Sequence, residues 1–148
     1  MSGIFSAFRI TASALTSQRL RMDVTANNVA NAETTRTEEG GPYQRQQVVF
    51  EAMLDGPNFI PTSFSINNSK PGKGVNVTEI VADDSPGNRV YDPNHPDADD
   101  EGFVTYPNVN IVTEMTDMLS ATRSYEANVT VFNSLKNMAM RALDIGRS

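Results

Sequence analysis

Along the first thirty positions, apolar residues return every seventh place: Phe8, Leu15, Met22 and Val29. Phe5, Ala12 and Ala26 stand three places ahead of three of them, with Arg19 the polar exception in that row. Paired apolar positions repeating every seven residues have the period of helices that pack side by side. No proline falls within residues 4–32, so the pattern predicts one long helix there, about 43 Å at roughly 1.5 Å per residue. Asn31 tolerates a left-handed cap and marks the end, before a polar run from Glu33 to Pro42.

The last forty residues repeat the pattern. Ile111, Met118, Tyr125, Phe132 and Ala139 recur every seven residues, and Met115, Thr122, Val129, Lys136 and Leu143 each follow by four. Asn110 is placed to cap the start, Glu114 to meet the helix dipole in the first turn, and Gly146 to cap the end. Val112, Leu119, Leu135 and Ala142 form an adjoining apolar track, so the stripe is wider than a two-helix seam needs.

The centre is different material. All eight prolines lie between Pro42 and Pro107, and they separate short extended runs: Gln44–Glu51, Phe64–Ile66, Gly74–Ala82, Asn88–Asp92 and Phe103–Tyr106. Val75-Asn76-Val77-Thr78 alternates as a half-buried strand does. The fold class expected is therefore α+β. Residues 1–33 and 108–148 are helices that pack as a coiled-coil-like hairpin, and residues 34–107 form a segment of short strands and turns, too poor in apolar residues for a large core of its own.

Charge sharpens this division. The net charge of the 148 residues is −6, and residues 53–107 alone hold nine acids against three bases. The helical ends are nearly neutral and the centre is acidic. Such a balance argues against nucleic acid as a partner, because phosphate binding needs clustered Lys and Arg. Cysteine is absent, which removes disulfides, thiolate metal sites and Cys nucleophiles, and His95 is the only histidine, which removes most zinc enzymes and triads that need other ring partners. No apolar run approaches the roughly 18 residues of a membrane span, and the N-terminus lacks the basic and apolar blocks of a cleavable signal.

Local motifs do not restore an enzyme. Asp97-Ala98-Asp99-Asp100-Glu101-Gly102 matches the first half of a calcium loop but fails at its twelfth position, Asn108, which follows Pro107. His95 sits among carboxylates without a second ring or thiol and reads as a turn residue. Lys70-Pro71-Gly72-Lys73-Gly74 lacks the spacing of a phosphate loop. No catalytic, cofactor or metal residue and no small-molecule substrate is expected. The surplus apolar faces instead call for further protein partners, most simply copies of the same or a related chain.

The stretch from Leu15 to Thr35, with Ala26-Asn27-Asn28-Val29-Ala30-Asn31 at its heart, resembles the N-terminal signature of the bacterial flagellar rod and hook axial proteins. Ser120-Ala121-Thr122-Arg123-Ser124-Tyr125-Glu126-Ala127-Asn128 resembles the C-terminal helix of that family. The stretches 35–43, 91–99 and 106–110 are similar to its proximal-rod branch, and Arg36-Thr37-Glu38 replaces the Gly-Tyr pair of many distal relatives.

The resemblance implies a structural subunit of the proximal rod of the flagellar basal body, in the cell envelope. Such a subunit is made in the cytoplasm and exported by the flagellar type III apparatus without a cleaved signal. Its partners are other rod proteins and copies of itself, its terminal helices line the inner tube, and its centre faces outward. The assembly interface expected comprises Phe8, Leu15, Met22 and Val29 on the first helix and Met118, Tyr125, Val129, Phe132 and Leu143 on the second. Asn27, Asn28 and Asn31 join it as amides able either to cap the helix or to fix register against neighbours. The rival reading is a cytoplasmic coiled-coil adaptor outside any flagellum.

Overall fold

The computed structural model describes residues 2–38, 40–53 and 72–145. The order is α1 (Ser2–Ala30), β1 (Gln46–Ala52), β2 (Val75–Ala82), β3 (Asn88–Tyr91), β4 (Phe103–Tyr106) and α2 (Ile111–Ile145). The chain is thus α+β. The second helix begins at its expected cap, where Asn110 Oδ1 accepts from the N–H groups of Val112 and Thr113 at 3.0 and 3.2 Å. The first helix ends at Ala30, next to Asn31 as expected, but Asn31 is not left-handed: its N–H continues the helical pattern to Asn27 O at 3.1 Å. The run Phe64–Ile66 and the cap at Gly146 lie outside the described residues.

The helices pack antiparallel along their length. The rings of Phe8 and Phe132 meet edge to face at 5.1 Å, Thr122 Oγ1 lies 3.5 Å from Met22 Sδ, and Arg21 reaches Asp117 at 3.1 Å. The strands form two separate antiparallel pairs. β1 pairs with β2 from Gln46↔Ala82 to Ala52↔Val75, with a bulge between Val49 and Phe50; β3 pairs with β4 from Asn88↔Tyr106 to Tyr91↔Phe103.

Among the described residues, α1 is the helix that packs on the β1–β2 ribbon. One close approach is at Gly74, whose φ is +124°, a backbone geometry suited to glycine. A Cβ there would collide with Ser13 Oγ, the group that accepts from Val75 N at 3.2 Å. The β3–β4 pair is tied on through turns: Thr35 Oγ1 donates to Asp97 Oδ2 at 2.8 Å, and Asn108 Nδ2 donates to Asp83 O at 2.9 Å.

The buried set differs from the seam that the repeat predicted. Among the described residues, the fully buried hydrophobics are Val24, Val104 and Ala121, and they are joined by Thr11, Ser17, Thr25, Asn28 and Glu114. Phe8, Leu15, Met22 and Val29 are half-buried, whereas Ile111 and Met115 lie open. The physical reason is that α1 serves two neighbours, α2 and the ribbon, so small and polar residues occupy the line where three backbones come closest. Two helices and a two-stranded ribbon cannot enclose a large volume.

Candidate assembly interface

Near the head of the helix pair, α1 and α2 are joined by a polar cluster. Asn28, from the last two turns of α1, donates through Nδ2 to Glu114 Oε2 at 2.9 Å and to Gln46 O at 2.8 Å. Its Oδ1 accepts from Gln46 N at 2.9 Å and from Tyr43 Oη at 2.9 Å. All four hydrogen-bonding positions of the amide are therefore used inside the chain.

Glu114 is 1% exposed, and its second oxygen accepts from Arg45 Nε at 2.6 Å. Arg45 also lies 3.7 Å from Asp117, which Arg21 contacts from α1. Two cations and two carboxylates thus close a balanced chain of charge over the helix crossing, beside a cleft of about 310 Å³. Burial, reinforced by the nearby Glu114 charge, pushes the Tyr43 hydroxyl above its ordinary value, so it is a proton donor at neutral pH. Asn27 Nδ2 donates to the same hydroxyl at 3.2 Å.

Glu114 stands in the first turn of α2, as expected, and it is also the buried acceptor that Arg45 and Asn28 share. Asn28 has no donor or acceptor left over for a neighbouring subunit, and Asn31 Nδ2 turns back to Asn27 O and Oδ1 at 2.9 and 3.0 Å. Arg45 was missed because nothing in its local sequence marks it: only tertiary contacts, such as Arg45 N donating to Asn108 Oδ1 at 3.0 Å, bring position 45 to position 114.

The remaining expected interface residues divide by location. Phe8, Leu15, Met22, Val29, Met118, Tyr125, Val129 and Phe132 are half-buried on the inner sides of the pair, and Leu143 is 69% exposed. A second set combines Val112 and Leu119 of the adjoining track with Met115, which the heptad repeat had placed in the seam. Val112, Met115 and Leu119 are 73%, 61% and 53% exposed. Spaced by three and four residues, they form one row on the side of α2 turned away from α1. With Met118 they line a shallow, largely apolar groove.

In the acidic turn, Asp99 and His95 make local hydrogen bonds. Asp99 Oδ1 accepts from Phe103 N at 2.8 Å and Glu101 N at 3.0 Å, and Arg89 reaches Oδ2 at 2.7 Å. His95 Nδ1 accepts from Asp97 N at 3.1 Å. The arrangement is that of a hydrogen-bonded turn.

What remains chemically is a helix pair with an uncovered apolar row, a surface for protein contact. Known proteins agree with it. Residues 8–36 match the family model for the flagella basal body rod protein, and residues 100–145 match that for the flagellar basal body rod FlgEFG protein C-terminal region. The chain is 47% identical to the flagellar basal-body rod protein FlgC of Borreliella burgdorferi, over 97% of both chains. The chain belongs to the FlgC family of flagellar basal-body rod proteins.

FlgC of Bacillus subtilis is 46% identical over 97% of this chain and 98% of its own, and FlgC of Salmonella typhimurium is 36% identical over the same shares. The FlgC family consists of structural rod proteins and not enzymes. Its two matched regions are the two helices and their flanks, so the family signature coincides with the elements that pack together here.

Proposed function

We propose that this chain is a structural subunit of the proximal rod, exported by the flagellar type III apparatus and polymerised through its terminal helices. It would join copies of itself and other rod proteins. The observation that carries this reading is the Val112–Met115–Leu119 row. A monomer whose helices were complete in themselves would have no use for three large apolar side chains on the solvent side of its longest helix. The helix pair, coiled-coil-like in its heptad spacing, supplies the packing surface, and the acidic strand segment lies outward. Absence of cysteine suits a chain that passes a narrow channel without cross-links.

Electron microscopy of basal bodies isolated from a strain carrying a tagged chain tests this. The expected result is label confined to the proximal rod, and a deletion strain that does not swim. Swimming cells with complete basal bodies in the absence of the chain would reject the reading.

A further inference from the structure

Asn28 does to β1 what a neighbouring strand would do. Its side-chain amide donates to Gln46 O at 2.8 Å and accepts from Gln46 N at 2.9 Å. That double exchange is the one made by two directly opposed residues in an antiparallel ladder. It takes place on the edge of β1 turned away from β2. On the other edge, Arg45 O accepts from Asp83 N at 2.7 Å and Met53 N donates to Gly74 O at 2.9 Å, so the odd positions of the strand face β2. Backbone groups alternate along a strand, so Val48 and Phe50 turn their N–H and C=O to the same free edge as Gln46. Asn28 fills the first of these places. Among the described residues, none fills the next two.

This free edge is also a wall of the cleft of about 310 Å³. Val24 and Thr25 of α1 line the same cleft, and Glu114 and Asp117 stand on its α2 side. Among the described residues, no Cα of α2 comes within 8 Å of one in β1. A third strand, about 4.8 Å from β1, would lie in that gap. From Gln46 to Phe50 the edge rises about 13 Å at roughly 3.3 Å per residue, the length of a short extended segment.

The walls state what such a segment must be. Arg21 and Arg45 balance Glu114 and Asp117, so the cleft attracts neither sign of charge. Val24, Val48 and Phe50 offer apolar contact to every second side chain. The α2 side is closed, so a whole second ribbon brought edge to edge is too broad to enter. The occupant is a single extended chain.

We infer that the β1 edge at Val48 and Phe50 is a strand-addition site, and that it takes one uncharged extended segment of a neighbouring rod-family subunit, antiparallel to β1 and beside Asn28. Main-chain bonds would hold the segment and the alternate apolar contacts would select it. The identity of the occupant rests on the rod reading given above; the open edge does not.

The cysteine-free chain permits a direct test. Gln47, an exposed residue lining the cleft, is changed to cysteine (Gln47→Cys) and labelled with a maleimide–benzophenone probe. Basal bodies containing it are isolated, irradiated and digested. The expected cross-link joins residue 47 to a non-helical segment of another rod subunit. Cross-links confined to the same molecule, to helices of a neighbour, or to no second subunit would overturn the strand-addition site while leaving the chain's place in the rod intact. Absence of the wild-type chain from basal bodies would instead overturn the rod reading itself.

A second readout removes the donor. Val48→Pro deletes an N–H that the β1–β2 ladder does not use, a position where an edge strand tolerates proline. The purified variant should keep wild-type helicity, yet its recovery in basal bodies should fall about tenfold, the effect of one main-chain bond left unmade. Val48→Ile, which keeps the N–H, should be recovered like the wild type. Wild-type recovery of Val48→Pro would overturn the proposal, and if that variant does not fold the cross-link decides alone.

Discussion

Asn28 Nδ2 stands 2.9 Å from Glu114 Oε2, joining two residues 86 positions apart where the helix pair meets the first strand. Asn28 is the one amide that touches both helices' polar cluster and the β1 backbone, through Gln46. It holds the ribbon and the pair in one geometry. Asn28→Ala leaves Glu114, Tyr43 and both backbone groups of Gln46 short of a partner, at about 1–3 kcal/mol for each buried group left unmade. A loss of at least about 4 kcal/mol is expected, read as the midpoint of urea unfolding.

Asn28→Asp should be worse at neutral pH and should carry a pH signature. It places a carboxylate beside buried Glu114, and two like charges there raise the folded-state proton affinity of the pair above that of the unfolded chain. The folded variant then binds more protons than the unfolded one, so its stability should rise as pH falls toward the ordinary carboxyl range. Unfolding curves between pH 7 and pH 4.5 check the sign. A variant that loses stability over that interval would contradict the assignment of Glu114 as a charged acceptor.

Arg45 tests the ion pair separately. Its guanidinium is mostly covered and holds Glu114 at 2.6 Å. Arg45→Leu leaves that carboxylate buried without its cation, and about 3 kcal/mol should be lost. Arg21→Leu touches the more exposed Asp117 and should cost under about 1 kcal/mol. Equal losses from the two variants, measured by thermal unfolding, would show that burial does not govern this charge chain.

Gly74→Ala should detach the ribbon without melting the helices. The added methyl collides with Ser13 Oγ, and a φ of +124° is strained for alanine. Amide hydrogen exchange should show β1 and β2 losing protection while the helical circular dichroism stays within a few percent of wild type.

Asp99 predicts the acid behaviour of the β3–β4 turn. The hydrogen bond from Phe103 N, then those from Glu101 N and the Arg89 side chain, hold its carboxyl below the ordinary 3.8, against a smaller opposing effect of partial desolvation. The folded group binds its proton less readily than the unfolded one. Its contribution is therefore complete above pH 3.8 and disappears as pH falls through the lower folded value. Asp99→Asn should remove that acid dependence, seen by NMR as loss of the titration shift at Phe103 N–H.

The helices were legible in the sequence because a seven-residue repeat, uninterrupted by proline, is a local property that tertiary context rarely overrides at this length. Their caps were legible for the same reason: Asn110 needs only the next three residues. Three strands fell inside expected runs, and β1 ran one residue past its own, because proline and glycine bound these runs on either side. The polar cluster was not legible. Arg45, Gln46 and Tyr43 carry no periodic signal, and Glu114 had a sufficient local explanation as a first-turn acid. The width of the α2 stripe was visible, but which of its two tracks faced α1 was not.

By itself, then, the sequence determined the kind of protein: two neutral, heptad-patterned helices around an acidic, proline-punctuated centre, with no equipment for catalysis and a signature shared with flagellar rod proteins. Only the tertiary structure decided how those parts are joined. It set the antiparallel register of α1 and α2, turned Val112, Met115 and Leu119 outward, and buried Glu114 under Arg45 and Asn28. The division has one physical cause. Periodicity and capping act over a few residues and are written in order along the chain, whereas burial and charge pairing depend on which distant residues the packed backbones bring within a few ångströms.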